Sequence, residues 1–239
     1  MAQFLKHWNS KALILLGTWL WEKGEYGHAL LCMHAPHWGF KIGTQLSVCW
    51  DDVISQEDRK CYAELNLPDR NLYGRPINIY LTPNIEKAFH ELDIVSMDDS
   101  IYMNYKTGKP LTSSTLNREL QRFSEKFLKE IKETTGIDFG FKPLKTNAFE
   151  IAWALDMINK YHKSQAVFKL VSTAMGHRTV KDTIELLEVE PIAISEPEYN
   201  LIKGIQVMED TEILEDREKL HRYIVREIIH ENEEFIPIG

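Results

Sequence analysis

The stretch Ser172–Leu186, STAMGHRTVKDTIEL, decides how the chain is read. It grows out of the apolar-periodic run Gln165–Ala174, which predicts a short helix. Gly176 breaks that run, and Arg178–Leu187 predicts its resumption. The bend between them carries His177 and Arg178, a titratable imidazole beside a permanent cation. His177 also fits a plainer role, a core histidine bonded to a helix end.

Upstream, the pattern is mainly helical. Lys11–Trp21 predicts a buried helix stopped at Gly24, Tyr26–Ala35 a second ended by Pro36, and Lys41–Trp50 a short third. Lys60–Leu67 and Pro76–Leu81 alternate like strands, with Pro68–Asn71 and Gly74 between them, which predicts a hairpin. Thr82 and Pro83 are placed to open a helix over Asn84–Leu92. Ser100–Met103 predicts a short strand. Thr112–Ser114 offers a cap for a long amphipathic helix, Thr115–Thr135, stopped by Gly136. Pro143 is read as opening a helix that runs to Tyr161. Beyond Pro191 and Pro197, Glu209–Asn232 predicts a charged helix with apolar positions Ile213, Leu220, Ile224 and Ile228. The fold class expected is mainly α with a small antiparallel β-sheet: one domain over 1–190 and an acidic linker and helix over 191–239.

Charge is distributed unevenly. The 239 residues carry a net −8, yet residues 101–181 hold 14 basic and 7 acidic side chains, and residues 182–239 hold 5 and 16. A basic middle before an acidic tail suggests a polyanionic partner, although a solvated surface with an acidic tail gives the same counts. A hydrophobic fraction of 44% and a charged fraction of 27% exclude a wholly disordered or collagenous chain. The longest apolar runs, such as Ala12–Leu16, are far too short to span a membrane. The first residues show no secretion signal, and three cysteines cannot all pair. Both features lead us to expect reduced thiols and a cytoplasmic, membrane-free protein.

Four phrases in this order resemble the catalytic domain of tyrosine recombinases, the phage-integrase-like proteins. They are WGFKIGTQLSVCWDD (Trp38–Asp52), the hairpin followed by Arg75–Ile79, SIYMNYKTGKPLTSSTLN (Ser100–Asn117) and the Ser172–Leu186 stretch itself. The resemblance covers about Ala12–Val189 and leaves Glu190–Gly239 and the family's N-terminal clamp domain without counterparts. It implies DNA as the substrate. In that family a tyrosine attacks a phosphate, two arginines hold its oxygens, and a lysine and histidines handle protons.

Transferred residue by residue, the first arginine falls on Lys41 and the hairpin lysine on Arg70. The His-x-x-Arg pair falls on Lys142 and Lys145, the later histidine on His177 and the tyrosine on Leu186. Leucine cannot attack phosphorus. Lysines keep the charge and lose the two-pronged geometry of guanidinium. Lys145 and His177 stand 32 positions apart, which implies an inserted turn near His162–Ser164. The expectation is a non-enzymatic, double-stranded-DNA-binding protein on a recombinase scaffold, weak alone and nucleoid-associated if it binds. Its backbone contacts would come from Lys41, Arg70, Lys142, Lys145, His177 and Arg178, and it would be linked to integration or recombination of a mobile element.

Two other functions stay open: an active recombinase with displaced residues, such as Tyr199 as nucleophile (Tyr161 precedes His177 on a different predicted helix), and a protein-interaction module with a vestigial DNA face. The C-terminal helix could dock on another copy or a partner, or fold back over the basic face. No cofactor or metal is expected. Cys32, His34, His37 and Cys49 do not follow a zinc spacing, and Asp51, Asp52, Glu57 and Asp58 have no further support as a Mg²⁺ site. Five tryptophans among residues 8–50 read as core rather than as base-stacking groups.

Overall fold

The computed structural model describes residues 7–62, 83–92, 94, 96–136, 138–160 and 165–189. Within these, helices α1 (Ser10–Glu22), α2 (Tyr26–Trp38), α3 (Ile42–Gln45), α4 (Trp50–Val53) and α5 (Pro83–Glu91) precede a two-stranded sheet. Strand β1 (Met103–Asn104) pairs antiparallel with β2 (Lys109–Pro110), in the register Met103–Pro110 and Asn104–Lys109. Helices α6 (Ser113–Thr135), α7 (Asn147–Lys160), α8 (Gln165–Ala174) and α9 (Val180–Leu187) follow. The class is mainly helical with a small antiparallel sheet, as the patterning predicts.

Helix α2 is the central rod. Every residue from Gly27 to Trp38 is buried, so it has no polar face and no strong periodicity. It packs against α1, α7 and β1. Helix α6 is the opposite case. Leu116, Leu120, Phe123 and Phe127 recur at three- and four-residue spacing and are buried, while the opposite face carries charged and polar side chains. Helix α7 joins two apolar clusters. Phe149 and Ala152 enter the core built by α1, α2, α6 and the Ile101–Tyr102 stretch before β1, whereas Ile151, Trp153, Ala154, Met157 and Ile158 pack with α8 and α9. A helix buried on two sides needs apolar residues on both, and nine of the fourteen in NAFEIAWALDMINK are apolar.

Four boundaries differ from expectation, the first being the strand read over Ser100–Met103, which forms at Met103–Asn104 with Ser100 in an isolated bridge. Helix α2 continues through Pro36 and ends at Gly39, whose φ of 65° closes the helix and whose N–H donates to the Ala35 carbonyl at 3.4 Å. Proline in the last turn sacrifices one hydrogen bond, and the surrounding core holds the helix together past it. Lys41–Trp50 does not form one helix. After α3, Cys49 is extended and bridges Ser100, and α4 begins anew at Trp50. Pro143 opens no helix, because its neighbours' N–H groups are already engaged on α6. Leu144 N–H donates to Ser124 Oγ and Thr146 N–H to Asn117 Oδ1, both at 2.9 Å. Most of the expected 60–81 hairpin lies outside the described residues, although Cys61 bridges Ile54. His162–Ser164, the boundary at 190–191 and the whole acidic tail also lie outside them.

Candidate functional site

Local chain chemistry builds the site from two sharp turns. The first is Gly39, where α2 stops. A Cβ there would lie 2.5 Å from the Trp153 ring, and the positive φ already disfavours one. This turn delivers Lys41 as the exposed residue that precedes α3. The second turn ends α8. Gly176 has φ 70°, its N–H donates to Thr173 O at 3.1 Å, and His177 N–H donates back to Ser172 O at 2.9 Å. That pair of bonds is the left-handed glycine closure that satisfies a helix's last carbonyls.

The two turns meet. A methyl group placed on Gly176 would sit 3.1 Å from Lys41 Nζ. Lys41 is thus held against the residue before His177, although 135 positions separate Lys41 from Gly176 in sequence. His177 is half-buried, and its Nδ1 lies 2.8 Å from Oγ1 of the buried Thr183. Thr179 and Asp182 cap α9 reciprocally, at 3.0 and 3.2 Å, which fixes where that helix starts. The Asp182 carboxyl is held below its usual range first by its hydrogen bonds to Thr179, with lesser help from His177 and Arg178. Arg178 itself is exposed on the same turn.

Glu150 completes the locality, in the first turn of α7. Burial pushes its carboxyl upward, and the Lys41 charge opposes that shift. It is a carboxylate two positions after the buried Ala148 and one after the buried Phe149, facing the cation that was expected to face phosphate. Sequence reasoning passed over it. A lone acid inside the apolar run AFEIAWAL was the available signal.

The remaining expected residues are placed less closely. Lys142 and Lys145 are exposed on the extended entry to α7, held there through their backbone. The Lys142 carbonyl accepts Trp8 Nε1–H at 2.8 Å, and Trp8 stacks on Phe141 with ring centroids 4.8 Å apart. No hydrogen bond or ion pair joins either lysine to Lys41 or His177 among the described residues. Arg70 lies outside the described residues, as does Tyr199, and Tyr161 lies outside them too. Leu186 is half-buried against the α7–α8–α9 cluster, so an apolar side chain occupies the position where the resemblance requires a nucleophile. Tyr102 is fully buried, with its hydroxyl accepting a hydrogen bond from Gln45, and burial raises its pKa well above the ordinary range.

Among the described residues, no group of three His, Cys, Asp or Glu side chains is placed to hold a metal ion. Cys32, His34 and His37 are buried in α2. Burial lowers the His34 pKa to about 3 and that of His37 to about 4, so both are neutral at pH 7. Among the described residues, no helix is long and apolar enough to cross a membrane. Compared with protein-family models, curated proteins and solved structures, the chain matches none.

Proposed function

We propose that this chain is a non-catalytic DNA-backbone-binding protein on a tyrosine-recombinase-like scaffold. The observation that carries the reading is the meeting of Lys41 with the Gly176–His177 turn. The resemblance requires those two positions to converge, and neither composition nor charge requires it. An ammonium and an imidazole on one surface attract a phosphate oxygen, with Arg178 adding a third donor on the rim. Lysine at Lys41, Lys142 and Lys145 supports charge attraction without the bidentate fit that stabilises a five-coordinate phosphate. Leucine at 186 supplies no attacking oxygen.

The experiment is a salt series on alanine variants. In the Lys142→Ala/Lys145→Ala variant, the slope of log affinity against log salt should fall by about 1.8, near 0.9 for each phosphate no longer neutralised. Lys41→Ala should lower it by about 0.9. An unchanged slope in both variants would sink the assignment of this face. A covalent protein–DNA adduct trapped by the wild-type chain would instead establish an active recombinase with a displaced nucleophile.

A further inference from the structure

Helices α1 and α6 leave a groove of about 460 Å³ between them, lined by Trp19, Phe123, Lys23, Lys126, Lys129 and Glu130 among others. Its floor is aromatic. Phe123 is buried and Trp19 half-buried, and one turn before Trp19 on the same face of α1 stands Leu15, 55% exposed. Leu15 is the one large apolar side chain of α1 that is exposed; it stands beyond the groove lining, and the Trp19 ring carries Lys23 Nζ 5.2 Å from its centroid.

On the α6 side Lys126 and Lys129 line the groove beside Glu130 and Glu133, and Arg118 and Arg122 continue the cations along the same helix beyond the lining. Arg118, Arg122, Lys126 and Lys129 follow one another at four- and three-residue spacing, which puts them on one strip of the helix. The acids lining the groove are already engaged. Glu130 accepts from Trp19 Nε1 at 3.0 Å and pairs with Lys23 at 3.4 Å, and Glu133 lies 3.8 Å from Lys129. Arg122 lies over the Phe123 ring at 4.8 Å, which leaves its charge and those of Arg118 and Lys126 without an acidic partner among the described residues.

The chain carries a segment of matching chemistry. Glu209–Glu218 holds six acids and one base, and the apolar positions Ile213, Leu220, Ile224 and Ile228 follow a helical spacing. Twenty residue steps run from Val189 to Glu209 and reach about 66 Å when extended, so the tether does not limit the choice of face. We propose that Glu209–Asn232 seats in cis in the α1–α6 groove. Its apolar row would cover Leu15 and Trp19, and its acids would face Arg122 and Lys126. This docking does not depend on the DNA reading. It would shield the α6 cations from any other polyanion and make the tail a built-in competitor.

The test is zero-length carbodiimide cross-linking of the dilute full-length chain, with peptide mapping of the monomer band. Amide links from Lys126 or Lys129 to Glu209–Glu218 are expected within the monomer. The variant Leu15→Asp/Arg122→Glu alters two exposed side chains and keeps both lysines. It should lower the yield about tenfold while the far-ultraviolet dichroism stays unchanged. Adding Asp216→Arg to that variant should restore part of the yield by reversing the pair. Links found only in a dimer band would assign the groove to a second copy and overturn the proposal. An absence of links, or a yield indifferent to the variant, would overturn it as well.

Discussion

Glu150 is the residue on which the electrostatics of the site turn. A half-buried carboxylate within the field of Lys41 offsets part of the cation's charge before any phosphate arrives. Replacing it by glutamine keeps the shape and removes the opposing charge. Glu150→Gln should therefore tighten DNA binding about two- to fivefold at neutral pH, the range expected for one partly exposed charge pair. The carboxyl's pKa is raised by burial, so it takes up a proton at higher pH than an ordinary glutamate. On acidification, binding by the wild type should strengthen more than binding by the glutamine variant, which keeps every other titratable group of the face. Anisotropy titrations of both proteins at pH 7 and pH 5 measure the difference. Equal affinities throughout would mean that Lys41 does not touch the DNA.

At the scale of elements, the site depends on how α6 grips the stretch before α7. Ser124 Oγ is buried, accepts from Leu144 N–H and donates to the Gln121 carbonyl, both bonds being 2.9 Å. Ser124→Ala would strand a buried N–H and should cost about 1–3 kcal/mol in urea-unfolding free energy. It should also weaken DNA binding through Lys142 and Lys145 without altering those lysines. An exposed control such as Ser114→Ala should do neither.

The same grip shows why some elements were legible and others were not. Helices α1, α6 and α8 announce themselves through local signals: apolar spacing and glycine stops near Gly24, Gly136 and Gly176. The end of α2, the split of Lys41–Trp50 and the start of α7 are set by partners distant in sequence. They are the core around Pro36, the Cys49–Ser100 bridge, and the side chains of Asn117 and Ser124. Local propensity carries no record of such partners. Lys41 and His177 were named from the order of motifs. Glu150 was missed because its meaning exists only once α3 and α7 are packed together.

The whole molecule carries a pH liability unrelated to DNA. His34 and His37 are buried neutral in the central helix, with burial as the first cause of their low pKa values of about 3 and about 4. In the unfolded chain both titrate near 6.5. The unfolded state therefore binds more protons, and stability present above about pH 6.5 is lost as pH falls toward 4. Each histidine should cost about 2 kcal/mol by pH 5. Urea midpoints at pH 7, 6 and 5 measure the loss, and His37→Gln should flatten the curve. A midpoint that does not move between pH 7 and 5 would place both rings against water.

The charge of the whole chain, net −8, opposes approach to DNA, while the basic middle and the Lys41–His177 meeting favour it. Anisotropy of a labelled duplex titrated with the full-length chain, repeated from about 50 to 200 mM salt, weighs these against each other directly. The account predicts saturable binding that weakens steeply with salt, as release of several counterions requires. No binding at the lowest salt, by the full chain and by the chain with its tail acids neutralised to amides, would contradict it.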